Sequence, residues 1–153
     1  MLLRLPLFVL LLSLTSAEEQ GANLDADCTY KCRHPGHRPA PRLGHTKTSN
    51  GCGTAEFPVD VSMLPLPEFE ICCNHHDICY DTCGSDRKKC DKDFLRCMMD
   101  LCTNKYSPGT EDVSRNECKM TAKLFHNLAF SGGCGPFLRA QEKACHCVEL
   151  KEL

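Results

Sequence analysis

The sequence has no tryptophan, and only three tyrosines and seven phenylalanines occur among its 153 residues. A stacking platform for nucleic-acid bases is not expected from so few rings. Charge of one sign is also missing. The formal net charge is -2 and the sequence pI is near 6.4. That balance gives no basis for nucleic-acid binding or for strong global attraction to anionic membranes. No apolar run approaches the roughly 20 residues of a membrane span. The longest, Leu5 to Leu14, has the length of a signal-peptide core. No N-x-Ser/Thr acceptor occurs, so no N-glycan is expected. No G-x-S-x-G elbow occurs either, which argues against a serine lipase. The closing Leu-Lys-Glu-Leu segment departs from an ER-retention signal.

Cysteine, by contrast, is abundant. All 14 cysteines follow residue 17. Arg4, the apolar core and Thr15-Ser16-Ala17 read residues 1–17 as a secretory signal peptide. A dense, even cysteine set in an exported chain implies disulfides. Zinc at Cys28, Cys32 and His34, or at Cys145, His146 and Cys147, is disfavoured because no paired C-x2-C module is present. Residues 18–49 read as an irregular arm with Pro35, Pro39 and Pro41, and residues 50–153 as one helical domain. In the arm, Lys31, Arg33, Arg38, Arg42 and Lys47 read as a solvated basic stretch.

The pattern predicts a helix from about Pro67 to the turn at Gly84. A second begins at a Ser85 cap and ends near Asn104. A third begins near Ser114, with Ser114 and Glu117 spaced as a capping box, and ends at Gly132-Gly133. A last short helix covers Pro136 to Cys145. Cys72 and Cys79 are two helical turns apart, and so are Cys90 and Cys97. Both facing pairs, Cys79 with Cys90 and Cys72 with Cys97, are symmetric about the Gly84-Ser85 turn. An antiparallel hairpin clamped by two disulfides follows.

His76 lies between those clamps. A histidine there is either a packed core group or a general base. Asp77 is adjacent to it, and Asp91 and Asp93 lie across the hairpin. A carboxylate that accepts from one ring nitrogen leaves the other free to take a proton. Hairpin symmetry by itself points to Asp93 as the facing acid.

Cys72-Cys73-Asn74-His75-His76-Asp77-Ile78-Cys79 resembles the C-C-x2-H-x2-C signature of secreted phospholipases A2. Cys90-Asp91, followed by five residues and Cys97, resembles that family's C-D-x5-C core. The short inter-helix segment and the Asn50-Gly51-Cys52-Gly53 loop are most like the group XII branch. The resemblance implies a mainly α, small disulfide-rich phospholipase A2-like fold. It implies a catalytic set of His76 as base, Asp91 as the acid that orients it, and Tyr80 supporting Asp91. It also implies a Ca2+ ion held by Asp77 and the carbonyls of Gly51, Gly53 and Ala55, and a Cys52–Cys73 bridge. The implied activity is calcium-dependent hydrolysis of the sn-2 ester of glycerophospholipids by a secreted, extracellular monomer. Its expected partner is a phospholipid membrane surface, met transiently, with no nucleic acid and no receptor that the sequence names. The alternative is a catalytically weak or silent lipid-binding or receptor-binding protein on the same scaffold.

Several features depart from the family's pattern. The loop lacks the usual glycine run, and residues 54–71 form an insertion with three prolines. The β-wing between the helices, a second supporting tyrosine and an amphipathic N-terminal helix are not evident. Phe57, Val59, Met63, Leu64, Leu66 and Phe69 are read either as a lipid-facing rim or as local core. Arg87-Lys88-Lys89 is read as a solvated face. His75 is read as incidental, one helical step from His76.

Overall fold

The computed structural model describes residues 28–55 and 57–150. The signal-peptide reading of residues 1–17 lies outside the described residues. In chain order the elements are β1 (His37–Pro41), a 3-10 turn (Val61–Met63), α1 (Phe69–Tyr80), α2 (Arg87–Lys105), α3 (Asp112–Gly132), α4 (Cys134–Ala144) and β2 (Cys145–Glu149). The fold is mainly α. Among the described residues, no helix is long and apolar enough to cross a membrane.

α1 and α2 form the expected antiparallel hairpin, clamped by Cys79–Cys90 and Cys72–Cys97. Cys52–Cys73 ties the preceding loop to α1. The remaining bridges are Cys28–Cys134, Cys32–Cys147, Cys83–Cys145 and Cys102–Cys118. Every cysteine is therefore oxidised and none is left to bind zinc. The apolar centre lies between α1, α2 and α3, with Phe69, Met98 and Ala122 fully buried beside Cys72, Cys102 and Cys118. Sulfur fills much of this interior. The bridges restrict the unfolded chain and so compensate for a modest apolar core.

Helix ends differ in detail from the sequence reading. The cap of α2 is Asp86 rather than Ser85, and its side chain accepts from the Lys89 N–H. α3 starts at Asp112, before Ser114. Ser107 N–H and Gly109 N–H donate to the Glu111 and Asp112 carboxylates, which stabilises an earlier start than the capping-box spacing suggests. α4 runs Cys134–Ala144, almost continuous with α3.

The arm is not wholly irregular. β1 pairs antiparallel with β2, in register from His37 opposite Glu149 to Pro41 opposite Cys145. Pro39 and Pro41 read as loop residues, but a two-stranded sheet has two edges, and an edge strand accommodates residues without an N–H. Arg42 also departs from the solvated reading. Its guanidinium donates to the carbonyls of Glu142, Lys143 and Cys145, and its backbone N–H donates to Ala144 O. It thereby caps the carbonyl end of α4, where a cation is favoured.

Gln141 is buried on α4 and ties it to the hairpin turn. Its Nε2 donates to the carbonyls of Tyr80 and Thr82, at 2.6 and 2.7 Å, and its Oε1 accepts from Gly84 N–H at 2.8 Å. The C-terminal end of α1 thus gains partners that the sequence pattern did not indicate.

Candidate active site

The seam between α1 and α2 carries the expected histidine–carboxylate pair, and the partner is Asp91. His76 Nε2 lies 2.8 Å from Asp91 Oδ1. Tyr80 Oη donates to the same oxygen at 2.6 Å. An ionised carboxylate only accepts, so Nε2 is the ring nitrogen that donates to Asp91. Among the described residues Nδ1 has no hydrogen-bond partner. The imidazole stacks on Phe94 at a centroid distance of 4.6 Å and leans on Tyr80 at 4.1 Å. Its side chain is 11% exposed, so the ring is largely but not completely shielded from solvent. Asp93 lies on the exposed side of α2 with Lys89 and Arg96 as partners. Hairpin symmetry overlooked the offset between the two helices, which the C-D-x5-C signature encodes.

Burial raises the cost of charging Asp91. Hydrogen bonds from His76 and Tyr80, with the charges of His76 and Arg87, outweigh that cost and hold its carboxyl below the usual aspartate value. Burial first, and Asp91 second, push the Tyr80 phenol far above its ordinary value, so it stays a donor.

Arg87 is the residue the sequence reading misplaced. Lys88 and Lys89 are exposed, but Arg87 is only 4% exposed. Its Nη1 lies 3.2 Å from Asp91 Oδ2 and 3.0 Å from Phe130 O, and its guanidinium packs over the Phe130 ring. The position four residues before Asp91 on a helix is the available signal, since such pairs share a face. The arginine serves the second oxygen of Asp91, where a second supporting tyrosine was found wanting. Gly133, at the α3–α4 junction, permits close approach on the other side: a Cβ there would meet Tyr80 Oη at 2.6 Å.

The loop that precedes α1 builds the candidate cation site. Asp77 Oδ2 accepts from Asn50 N–H at 2.9 Å, and Asn74 Oδ1 accepts from Gly51 N–H at 3.1 Å. Gly53 and Pro58 form an isolated antiparallel bridge, flanked by Thr54 N–H to Phe57 O and Val59 N–H to Cys52 O. The flanking bonds leave the N–H and C=O of Gly53 itself outside the ladder. Glycine is required there: φ is +97°, and a Cβ would fall 2.3 Å from Phe57 O.

Calcium takes oxygen ligands, several of which can be carbonyls. Asp77 Oδ1 and the carbonyls of Gly51, Gly53 and Ala55 accept no hydrogen bond from any described residue, and so remain available as donors. Burial raises the Asp77 pKa, with Asn50 and His76 opposing and Asp81 adding to the rise. A cation on this acid would relieve that desolvation. The donor set therefore fits a hard cation, although no cluster of three or more His, Cys, Asp or Glu occurs among the described residues.

An open cleft of about 320 Å³ adjoins this site. Gly53, Ala55, Asp77 and Tyr80 line it, together with Arg139 and Lys143 of α4. His76 and Gly51 do not line it. Asp77, which does line it, is adjacent to His76 in sequence on α1. Asp81, also in the cleft, is engaged by His45 Nε2 at 2.8 Å and Thr48 N–H at 2.9 Å. This second histidine–carboxylate contact, not foreseen from spacing, pins the end of the arm to the end of α1.

The residues once grouped as rim or core divide cleanly. Leu66 and Phe69 are buried, and Val59 and Leu64 pack against the core. Phe57 and Met63 are 80% and 83% exposed.

The clamped hairpin and its seam place the chain among small disulfide-rich phospholipase A2-like folds. The family model described as Group XII secretory phospholipase A2 precursor matches residues 12–153. The chain belongs to the group XII secretory phospholipase A2 family. It is 36% identical over 126 residues to Group XIIA secretory phospholipase A2 of Mus musculus, covering 80% of this chain and 64% of that protein. To Group XIIB secretory phospholipase A2-like protein of Mus musculus it is 36% identical over 127 residues, covering 80% and 65%. Conodipine-P3 of Conus purpurascens is 37% identical over 90 residues, covering 56% and 47%. The chain thus spans just under two thirds of the length of the group XII relatives it matches. No solved structure matches it.

Proposed function

We propose that the protein is an extracellular phospholipase A2 that hydrolyses the sn-2 acyl ester of glycerophospholipids with Ca2+, releasing a fatty acid and a lysophospholipid. The observation that carries this reading is that Asp91 engages Nε2 of His76 and leaves Nδ1 without a partner among the described residues. In this reading Nδ1 takes the proton of a water as that water attacks the ester carbonyl. Asp91 holds the ring and stabilises the imidazolium, and Tyr80 keeps Asp91 in place. The Gly53 N–H is free to donate to the developing oxyanion. Asp77, with the carbonyls of Gly51, Gly53 and Ala55, would hold Ca2+, which when bound polarises the ester and offsets the charge of the phosphate. After collapse the imidazolium returns its proton to the leaving alkoxide.

Two variants test the surrounding parts. Asp77→Asn removes the sole carboxylate of the proposed ion site, and calcium affinity is expected to fall at least about tenfold. Calcium titration by calorimetry measures this, and an unchanged affinity rejects Asp77 as a ligand. Phe57 stands exposed at the tip of the Gly53–Pro58 bridge, next to the ion loop, where an aromatic ring suits a lipid interface. Phe57→Asp is expected to weaken sedimentation with phospholipid vesicles by about tenfold, because an apolar contact is replaced by a charge. Equal sedimentation of both proteins removes Phe57 from the membrane contact.

A silent lipid-binding protein on the same scaffold is favoured by one observation. Arg87 places a fixed positive charge on Asp91, which opposes formation of the imidazolium beside it. Vesicle binding without fatty-acid release by the unaltered protein would select that reading.

A further inference from the structure

We propose that Arg139 and Lys143 form a headgroup subsite that selects phospholipids with negative charge beyond the phosphodiester, a phosphomonoester above all. The proposal rests on the phospholipid reading above and concerns the same cleft. Arg139 and Lys143 are one turn apart on α4, so their side chains leave the same face. Both line the cleft that Gly53, Ala55 and Asp77 also line. Like charges at this spacing oppose helix formation, and a neighbouring acid normally relieves them. Among the described residues, no ion pair or side-chain hydrogen bond engages either cation.

The acids that line the cleft among the described residues are already committed. Asp81 is held by His45 and Thr48, and Asp77 is directed to the Asn50 N–H and the candidate ion site. Arg139 and Lys143 therefore face the cleft with their charge unneutralised. A guanidinium fork beside a point-charge ammonium suits a phosphomonoester, whose several oxygens accept from both. A choline or ethanolamine headgroup would instead bring a cation against two cations. The candidate ion site borders the same cleft through Gly53, Ala55 and Asp77, so a cation held there would add to this positive charge and favour a ligand with two anionic groups.

The experiment uses the full chain with Ca2+ and dihexanoyl lipids kept monomeric, which removes any contribution from bilayer charge. Binding of dihexanoyl phosphatidic acid and dihexanoyl phosphatidylcholine to His76→Gln is measured by calorimetry, so that turnover does not interfere. Phosphatidic acid is expected to bind about 3- to 10-fold tighter, as two partly screened ion pairs allow. In His76→Gln carrying Arg139→Gln and Lys143→Gln the ratio is expected to collapse to about one. Equal affinities in the parent, or a preference that survives the double substitution, overturns the subsite. Inorganic phosphate is the third probe. Binding as tight as that of phosphatidic acid overturns the lipid assignment in favour of a free-anion site. Turnover of both lipids by the unaltered protein separates the two claims. Absent turnover with the binding ratio intact removes the enzymatic reading and leaves the subsite. Turnover without the ratio does the reverse.

Discussion

His76→Gln is expected to lower fatty-acid release from phospholipid vesicles in calcium by about 10²–10⁴-fold, the usual contribution of a positioned general base. The fold should survive. A glutamine amide places an N–H close to where Nε2 of the imidazole donates, so Asp91 keeps a partner. The amide has no basic lone pair in place of Nδ1, and proton removal is what it cannot reproduce. Fatty-acid release measured by titration, with the melting temperature recorded alongside, checks both halves. Release within about threefold of the unaltered protein, on an intact fold, leaves His76 as a packed core residue.

The second large effect concerns stability. Arg87→Met should destabilise the protein by about 3 kcal/mol or more, within the range for removing one partner of a buried ion pair. The side chains are 3% and 1% exposed. The variant strips Asp91 Oδ2 and Phe130 O of a common donor. For a domain of this size that is a fall in melting temperature on the order of 10 °C. Lys88→Met, one residue along on the exposed side of α2, is the control and should shift stability by no more than about 0.5 kcal/mol. If the two variants melt together, the Arg87–Asp91 contact is not a structural pair.

The sign of the pH dependence follows from the same contacts. The folded carboxyl of Asp91 is held below its ordinary value, so its share of stability is present above the unfolded pKa. It is lost as pH falls through the folded one. Thermal melts toward acid should show Arg87→Met losing less with falling pH than the unaltered protein, because part of the linkage is already gone. Seven disulfides limit the unfolded chain in both proteins, so the comparison belongs under non-reducing conditions.

What the sequence alone determined was local or periodic. Two cysteine pairs at two-turn spacing about a glycine turn define the hairpin, because helical geometry converts spacing into a shared face. The position of His76 between the clamps follows from the same period. The two signature motifs then point to Asp91, Asp77 and Cys52–Cys73 by resemblance. Bringing distant segments together was left to tertiary structure. The β1–β2 pairing and the bridges from Cys28 and Cys32 join residues more than a hundred positions apart, and no period connects such residues. Arg42 and Arg87 read as solvated residues and Gln141 drew no reading, yet each serves backbone or carboxylate oxygens supplied by another element or another turn. A long polar side chain becomes structural when packing removes water from its partners, and only the assembled fold decides where that happens.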